Sequence, residues 1–279
     1  RQVADFELSS VRALVNCSEP VTQPAHERFC EKFAAAGFRS QALSPSYAAA
    51  ENVFAITQSP PSAEPFMLSL NREQLSQEGR AVEDDAPDAQ QLVSSGRGLP
   101  GTVLEIVDRD DVVLADGRVG EIRYRGPCML EAYFHDADAS ATAIRNGYFY
   151  SGDLGFLWSG ELFVTGRAKD LLIVGGHNLY PHEIEEALGH LVGVRPGRIA
   201  AFTTFDEQLG TEALIIAAET SEEIGDRQAL EAEISRAVLA QFEVMPEAVR
   251  LSDQRVLPKS TSGKISRQRC RDMYLRGEL

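Results

Sequence analysis

Cysteine, positive charge and long apolar runs are all scarce in this chain. Its four cysteines, Cys17, Cys30, Cys128 and Cys270, are scattered over 279 residues with no CxxC spacing. Such usage builds no disulfide framework, and a reducing, cytoplasmic setting is expected. No apolar run approaches the roughly 20 residues that a membrane span requires. No signal peptide is visible, but the chain begins at Arg1 rather than Met, so that absence carries little weight. With 27 Lys and Arg against 42 Asp and Glu, the net charge is -15. That balance argues against a nucleic-acid binder, which needs a basic face to release phosphate counterions.

The remaining composition is that of a globular protein, 43% hydrophobic and 25% charged. The length suits one large or two small domains. The charge is uneven. Residues 255–279 carry Arg255, Lys259, Lys264, Arg267, Arg269, Arg271 and Arg276 against only Asp272 and Glu278. A basic end on an acidic protein can attract an anionic partner or can simply be a solvated helix face.

The pattern along the chain predicts a mixed fold, α/β followed by α+β. The first 55 residues read as α/β. A strand is expected at Val11–Val15, and an amphipathic helix runs from Pro20 to Ala36, stopped by Gly37. A strand near Arg39–Leu43 and a turn at Ser44-Pro45-Ser46 follow. Residues 59–98 are poor in pattern, with one short helix expected over Asn71–Gly79. Residues 98–168 read as a small β-barrel-like subdomain, with strands at Val103–Val107, Val112–Leu114, Glu121–Tyr124 and Glu161–Val164. Residues 169–279 read as a C-terminal α+β domain, its first helix opened by Pro181 with Glu183, Glu185 and Glu186 close behind.

Several local motifs carry chemistry. Lys264 follows Gly263 in a Ser/Thr/Gly loop whose free backbone N–H groups can meet an anion. It is not a Walker A loop, because Pro258 stands where the first glycine belongs and Ile265 replaces the Mg²⁺-binding hydroxyl. Taken alone, a surface lysine in a flexible loop accounts for it. Asp153, after Ser151-Gly152, can accept two hydrogen bonds from a ribose diol or can cap a turn. Arg167 and Lys169 sit at the junction between the domains, where a polar linker is equally served. Glu51, after Tyr47-Ala48-Ala49-Ala50, can bind Mg²⁺ or face solvent from a helix.

The order of these motifs resembles the acyl-adenylate-forming superfamily, and most closely its fatty acyl-AMP ligases. Asn16-Cys17-Ser18-Glu19-Pro20 is similar to the Asn-Gly-Ala-Glu-Pro adenine loop, and Tyr47–Glu51 to Tyr-Gly-x-Ala/Thr-Glu. Gly120-Glu121-Ile122 with Gly126 and Tyr133 is similar to the Gly-Glu-Ile/Leu motif. Tyr150–Asp153, Gly166–Asp170, Gly176–Glu185 and Pro258–Lys264 follow in the family order, and the resemblance covers essentially the whole chain. Leu70–Val82 falls where fatty acyl-AMP ligases carry an insertion that acyl-CoA ligases lack.

The resemblance implies ATP and Mg²⁺ as cofactors and a fatty or related carboxylic acid as substrate. Lys264 would bridge the carboxylate and the α-phosphate, and Glu51 would bind Mg²⁺. Asp153 would hold the ribose, with Arg167 beside it. Tyr47 would pack on the adenine, with Ser18, Glu19 and Pro20 at its edge, and Ala48 would also belong to the ATP/AMP-binding residues. Lys169 would be the hinge about which a small mobile C-terminal domain turns between adenylation and acyl transfer. The acceptor would be an acyl carrier protein, docking at Arg267, Arg269 and Arg271. Ala48 and Cys17 depart from the family glycines. The Ser/Thr/Gly-rich phosphate loop that normally precedes these motifs has no match, so the chain reads as the C-terminal half or more of a longer enzyme. An acyl-CoA ligase and a non-catalytic adenylation-like fragment are the alternatives.

Overall fold

The structure, a computed structural model, describes residues 3–61, 63–87, 89–206, 211–221, 226–260 and 263–279. It divides into two compact units, residues 1–169 and 170–279.

The first unit opens with β1 (Leu14–Asn16), α1 (Gln23–Phe33), β2 (Leu43–Ala48) and β3 (Ala55–Gln58). Pro24 lies in the first turn of α1, where its missing N–H costs nothing. A 3₁₀ turn continues the helix to Ala36, and Gly37 ends it in the left-handed region at φ 78°. The expected turn at Ser44-Pro45-Ser46 is instead the middle of β2, between β1 and β3. The strand is tolerated there because each hydroxyl is satisfied. Ser44 donates to the Ser59 carbonyl at 2.9 Å, and Ser46 to that of Thr57 at 2.8 Å.

The patternless stretch is an antiparallel pair, β4 (Met67–Leu70) and β5 (Gln90–Val93), enclosing α2 (Arg72–Glu78). The Asn71 side chain caps α2 by accepting from Gln74 N at 3.0 Å, and Gly79 ends it at φ 59°. β6 (Arg97–Gly98) adds to the β1–β2–β3 sheet.

A second, antiparallel sheet follows, from β7 (Val103–Val107), β8 (Gly120–Arg125), β9 (Ile144–Arg145), β10 (Tyr148–Trp158) and β11 (Glu161–Arg167). Its order is β11-β10-β8-β7, with β9 on β10. The strand expected at Val112–Leu114 reduces to a single bridge between Val107 and Val113; Val112 and Val113 are exposed, so the apolar run has no face to bury. Between β8 and β9 lies α3 (Ala137–Ala143), capped by Asp136.

The second unit begins with the hairpin β12 (Leu172–Val174) and β13 (His177–Leu179), then α4 (Pro181–Leu188). β14 (Val194–Asp206) pairs antiparallel with β15 (Thr211–Thr220), which pairs parallel with β16 (Ala248–Ser252). Between β15 and β16 runs α5 (Arg227–Phe242), and α6 (Arg267–Leu275) follows. The two faces of β14 and β15 build two cores. Ile199, Ala201, Leu214, Ile216 and Ala218 meet Ile184 and Leu188 of α4 and Leu230, Ile234, Val238 and Phe242 of α5. Ala200, Phe202, Ile215 and Ala217 meet Leu257 and Cys270 on the opposite side. Strand alternation of period two assigns each residue to its core. The fourfold spacing of the α5 residues gives that helix its single buried stripe.

Candidate active site

The first unit holds a cleft of about 630 Å³, lined by Ser18, the segment from Tyr47 to Glu51, Glu121, Tyr133, Arg145, the segment from Tyr150 to Asp153, and Arg167. Asp153 stands within β10, not in a free turn. The pairing of β10 with β8 slips between Tyr150 and Leu154, and Gly152 at φ 70° supplies the conformation this bulge needs. Ser151 Oγ donates to the Ile122 carbonyl at 2.7 Å and accepts from Asp153 N at 3.1 Å. Glu121 accepts from Gly152 N at 3.1 Å. The bulge is thus pinned to β8 by two contacts.

The register of β10 on β11 sets Asp153 directly opposite Arg167. Arg167 Nε donates to Asp153 Oδ1 at 3.0 Å, and the Tyr47 hydroxyl donates to Oδ2 at 2.6 Å. Burial, and then the Asp153 charge, push the Tyr47 phenol well above its ordinary pKa, so it remains a donor.

Glu51 lies in a 3₁₀ turn directly after β2. Its carboxylate accepts from the Tyr133 hydroxyl at 2.9 Å, and its carbonyl from Leu130 N at 2.6 Å. Burial first, then the bond to Glu51, raise Tyr133 to about 12. Val53, two residues on, holds φ 65°, a costly conformation for a β-branched residue. Beneath the cleft, the Tyr124 side chain is fully buried, and its hydroxyl has no partner among the described residues. Burial, then the nearby Glu51, Tyr133 and Asp153, raise that phenol as well.

Among the described residues no three metal-ligating side chains converge, so no all-protein metal cage is formed. Mg²⁺ does not require one, since it is commonly held by one or two carboxylates together with substrate phosphates. Glu51, anchored by Tyr133 on an open cleft, fits that mode.

The cleft therefore gathers Ser18, Tyr47, Ala48, Glu51, Asp153 and Arg167. Glu19 and Pro20 are exposed nearby in sequence and are not among its lining residues. Ser18 has φ 75°, whereas Cys17 and Ala48 are absent from the positive-φ positions, so neither departure from glycine strains the backbone. Lys169 is exposed in the 3₁₀ turn at the end of the first unit. Lys264 belongs to the second unit and is exposed on a small hairpin. Lys259 bridges Ile265, Ser260 N donates to the Lys264 carbonyl at 2.7 Å, and Gly263 N donates to the Ser260 carbonyl at 2.9 Å. Thr261 and Ser262 of the Pro258–Lys264 motif lie outside the described residues.

The three arginines read as a dock do not form one exposed row. Arg267 is engaged by Glu185 at 2.6 and 2.7 Å and by Asp170 at 3.5 Å. Arg271 is half-buried, and Arg269 is exposed. Sequence reasoning passed over Glu121 and Tyr133 as site residues, though both stand in the Gly-Glu-Ile…Tyr motif. Arg145, whose guanidinium stacks on the Tyr150 ring at 3.8 Å, had no sequence signal.

The AMP-binding enzyme family matches residues 1–134. A long-chain-fatty-acid–AMP ligase of Mycolicibacterium smegmatis is 31% identical over 98% of this chain and 50% of its own length. A solved structure from a study of fatty acyl-adenylate ligases of E. coli and L. pneumophila superimposes with a TM-score of 0.88 at 28% identity, over 99% of this chain and 50% of the other.

Residues 1–134 thus match the AMP-binding enzyme family, and the chain along its length is similar to fatty acyl-AMP ligases.

Among its relatives is a medium-chain-fatty-acid–acyl-carrier-protein ligase of Moorena producens, 32% identical over 100% of this chain and 49% of the relative. The chain spans about half the length of the curated relatives it matches. Among the described residues, no helix is long and apolar enough to cross a membrane.

Proposed function

We propose that the intact protein uses ATP to activate a fatty or related carboxylic acid as acyl-AMP, and then passes the acyl group to the thiol of an acyl carrier protein. The observation that carries this reading is the convergence of Tyr47, Asp153 and Arg167 on one cleft with Glu51 on its rim. In the first step a carboxylate oxygen of the acid bonds to the α-phosphorus as the bond to the β-phosphate oxygen breaks, and pyrophosphate leaves. In the second, the carrier thiol bonds to the acyl carbon, its proton leaves, and AMP departs.

Asp153 accepts the ribose hydroxyls, held in place by Tyr47 and Arg167. The Tyr47 ring and Ala48 form the adenine wall, with Ser18, Glu19 and Pro20 near its edge. Lys264 offsets the negative charge that grows on the α-phosphoryl oxygens. Glu51, oriented by Tyr133, would hold Mg²⁺, which would supply positive charge beside the phosphate oxygens. Lys169, at the unit boundary, serves as the hinge. The relative from Moorena producens supports a carrier-protein acceptor. Of Arg267, Arg269 and Arg271, Arg269 is the exposed one for such a dock.

ATP–pyrophosphate exchange across acids of increasing length, on this chain and on the full-length protein, tests the reading. Exchange that collapses in Lys264→Ala supports it. A folded full-length protein that exchanges with no acid would refute it and favour a binding role. Loading assays with carrier protein against coenzyme A separate the two acceptors.

A further inference from the structure

The hairpin that carries Lys264 has two fixed feet. At one foot, Arg198 of β14 and Glu219 of β15 form a buried ion pair, their side chains 13% and 1% exposed. Arg198 Nε donates to Glu219 Oε2 at 2.6 Å, and its Nη2 makes a second contact with Oε1. The same pair takes both polar groups of Leu257, whose side chain is itself buried. Leu257 N donates to Glu219 Oε1 at 2.9 Å, and Arg198 Nη2 donates to the Leu257 carbonyl at 3.0 Å. One residue later the hairpin begins, with Ser266 N donating to the Pro258 carbonyl at 2.9 Å. At the other foot, Arg267 is locked to Glu185.

A buried ion pair is seldom worth more to stability than two packed aliphatic side chains of the same volume. What aliphatic residues cannot do is hold a particular backbone N–H and C=O in place. Displacement of a reacting group by about 1 Å can cost a hundredfold in rate.

We infer that Arg198 and Glu219 are positioning residues for Lys264, acting through their joint grip on the Leu257 backbone at the root of its hairpin. The inference rests on the proposed role of Lys264 in adenylation, and it makes the two half-reactions respond differently when the grip is lost.

The test replaces the pair by R198M/E219L in the full-length enzyme, preserving volume while removing the grip, with Arg198→Lys as a milder variant that is still able to meet Glu219. Adenylation is read by ATP–pyrophosphate exchange, and acyl transfer by single turnover from supplied acyl-AMP. Amide hydrogen exchange at Leu257 reads the grip itself. We expect the double variant to fold with a somewhat lowered melting temperature, because the buried Leu257 N–H and C=O lose their partners. Its exchange kcat falls about ten- to a hundredfold with the KM for ATP unchanged, transfer is unaffected, and the Leu257 amide exchanges faster. Arg198→Lys shows the same changes in smaller measure, and it decides the matter if the double variant does not fold. Unchanged pyrophosphate exchange in a folded variant, an equal fall in both half-reactions, or an unaltered Leu257 amide would overturn the inference. Lys264→Ala, run in parallel, separates the two levels. If it leaves pyrophosphate exchange intact, the role of Lys264 fails and the positioning inference fails with it. If it abolishes exchange while the Arg198 and Glu219 variants remain normal, only the inference fails.

Discussion

The Tyr47 hydroxyl donates to Asp153 Oδ2 at 2.6 Å, joining residues 106 positions apart in the chain. The contact ties the strand that leads to Glu51 to the bulge that presents Asp153, so one carboxylate is oriented by an aromatic ring that also lines the cleft. Tyr47→Phe keeps the ring and removes the donor. A hydrogen bond to a charged group contributes about 1.5–3 kcal/mol, so the KM for ATP should rise by at least about tenfold with a smaller change in kcat. ATP titration in the exchange assay checks this. The raised phenol pKa also predicts no alkaline inflection from Tyr47 near its ordinary value of 10.

Tyr133→Phe strips Glu51 of its hydroxyl partner without altering the ring. Loss of such a supporting contact typically costs 10–100-fold in metal affinity. The Mg²⁺ concentration for half-maximal exchange should shift upward by a comparable factor. Mn²⁺ binding in the presence of nucleotide, followed by electron paramagnetic resonance, should weaken in parallel. An unshifted Mn²⁺ titration would remove Tyr133 from this role.

Acid should weaken the second unit through two groups. Burial, and then the Arg267 charge, lower His182 to about 4 from an ordinary 6.5. The unfolded chain therefore binds more protons between those values, and stability rises with pH across that window and levels off above it. Burial alone would raise Glu219, but Arg198 and the Leu257 amide outweigh it and hold the carboxyl below its ordinary 4.5. That contribution is present above 4.5 and is lost as pH falls through the lowered value. Urea unfolding followed by pH should show the His182 slope, and His182→Asn should flatten it.

Ile234 sits at the centre of the α5 stripe and is fully buried. Ile234→Ala should cost about 2–5 kcal/mol of unfolding free energy, read from the denaturant midpoint and from faster amide exchange in α5. Leu239, on the exposed side of the same helix, should tolerate alanine within about 0.5 kcal/mol.

Local chemistry in the sequence determined a good deal. The short helix over Asn71–Gly79 and the Pro181 start of α4 each depend on contacts within a few residues. Those contacts are legible in the order of the side chains. The order of the glycine-flanked motifs likewise carried the resemblance to adenylate-forming enzymes. Ser44-Pro45-Ser46 marks where this reach ends, because its turn chemistry yields to a strand once distant carbonyls satisfy the two hydroxyls.

Only the tertiary structure decided which charged groups serve the cleft and which serve the frame. Asp153 meets Arg167 through strand register, and Tyr47 and Tyr133 reach carboxylates 106 and 82 positions away in the chain. Arg267, which by composition belonged to a basic docking face, is taken by Glu185 and Asp170. Arg198 and Glu219 carried no sequence signal at all, yet they hold the root of the Lys264 hairpin. The physical reason is the same in each case. A hydrogen bond or ion pair is set by the distance and direction between side chains, and for residues far apart in the chain these exist only after the sheets have paired and their cores have closed.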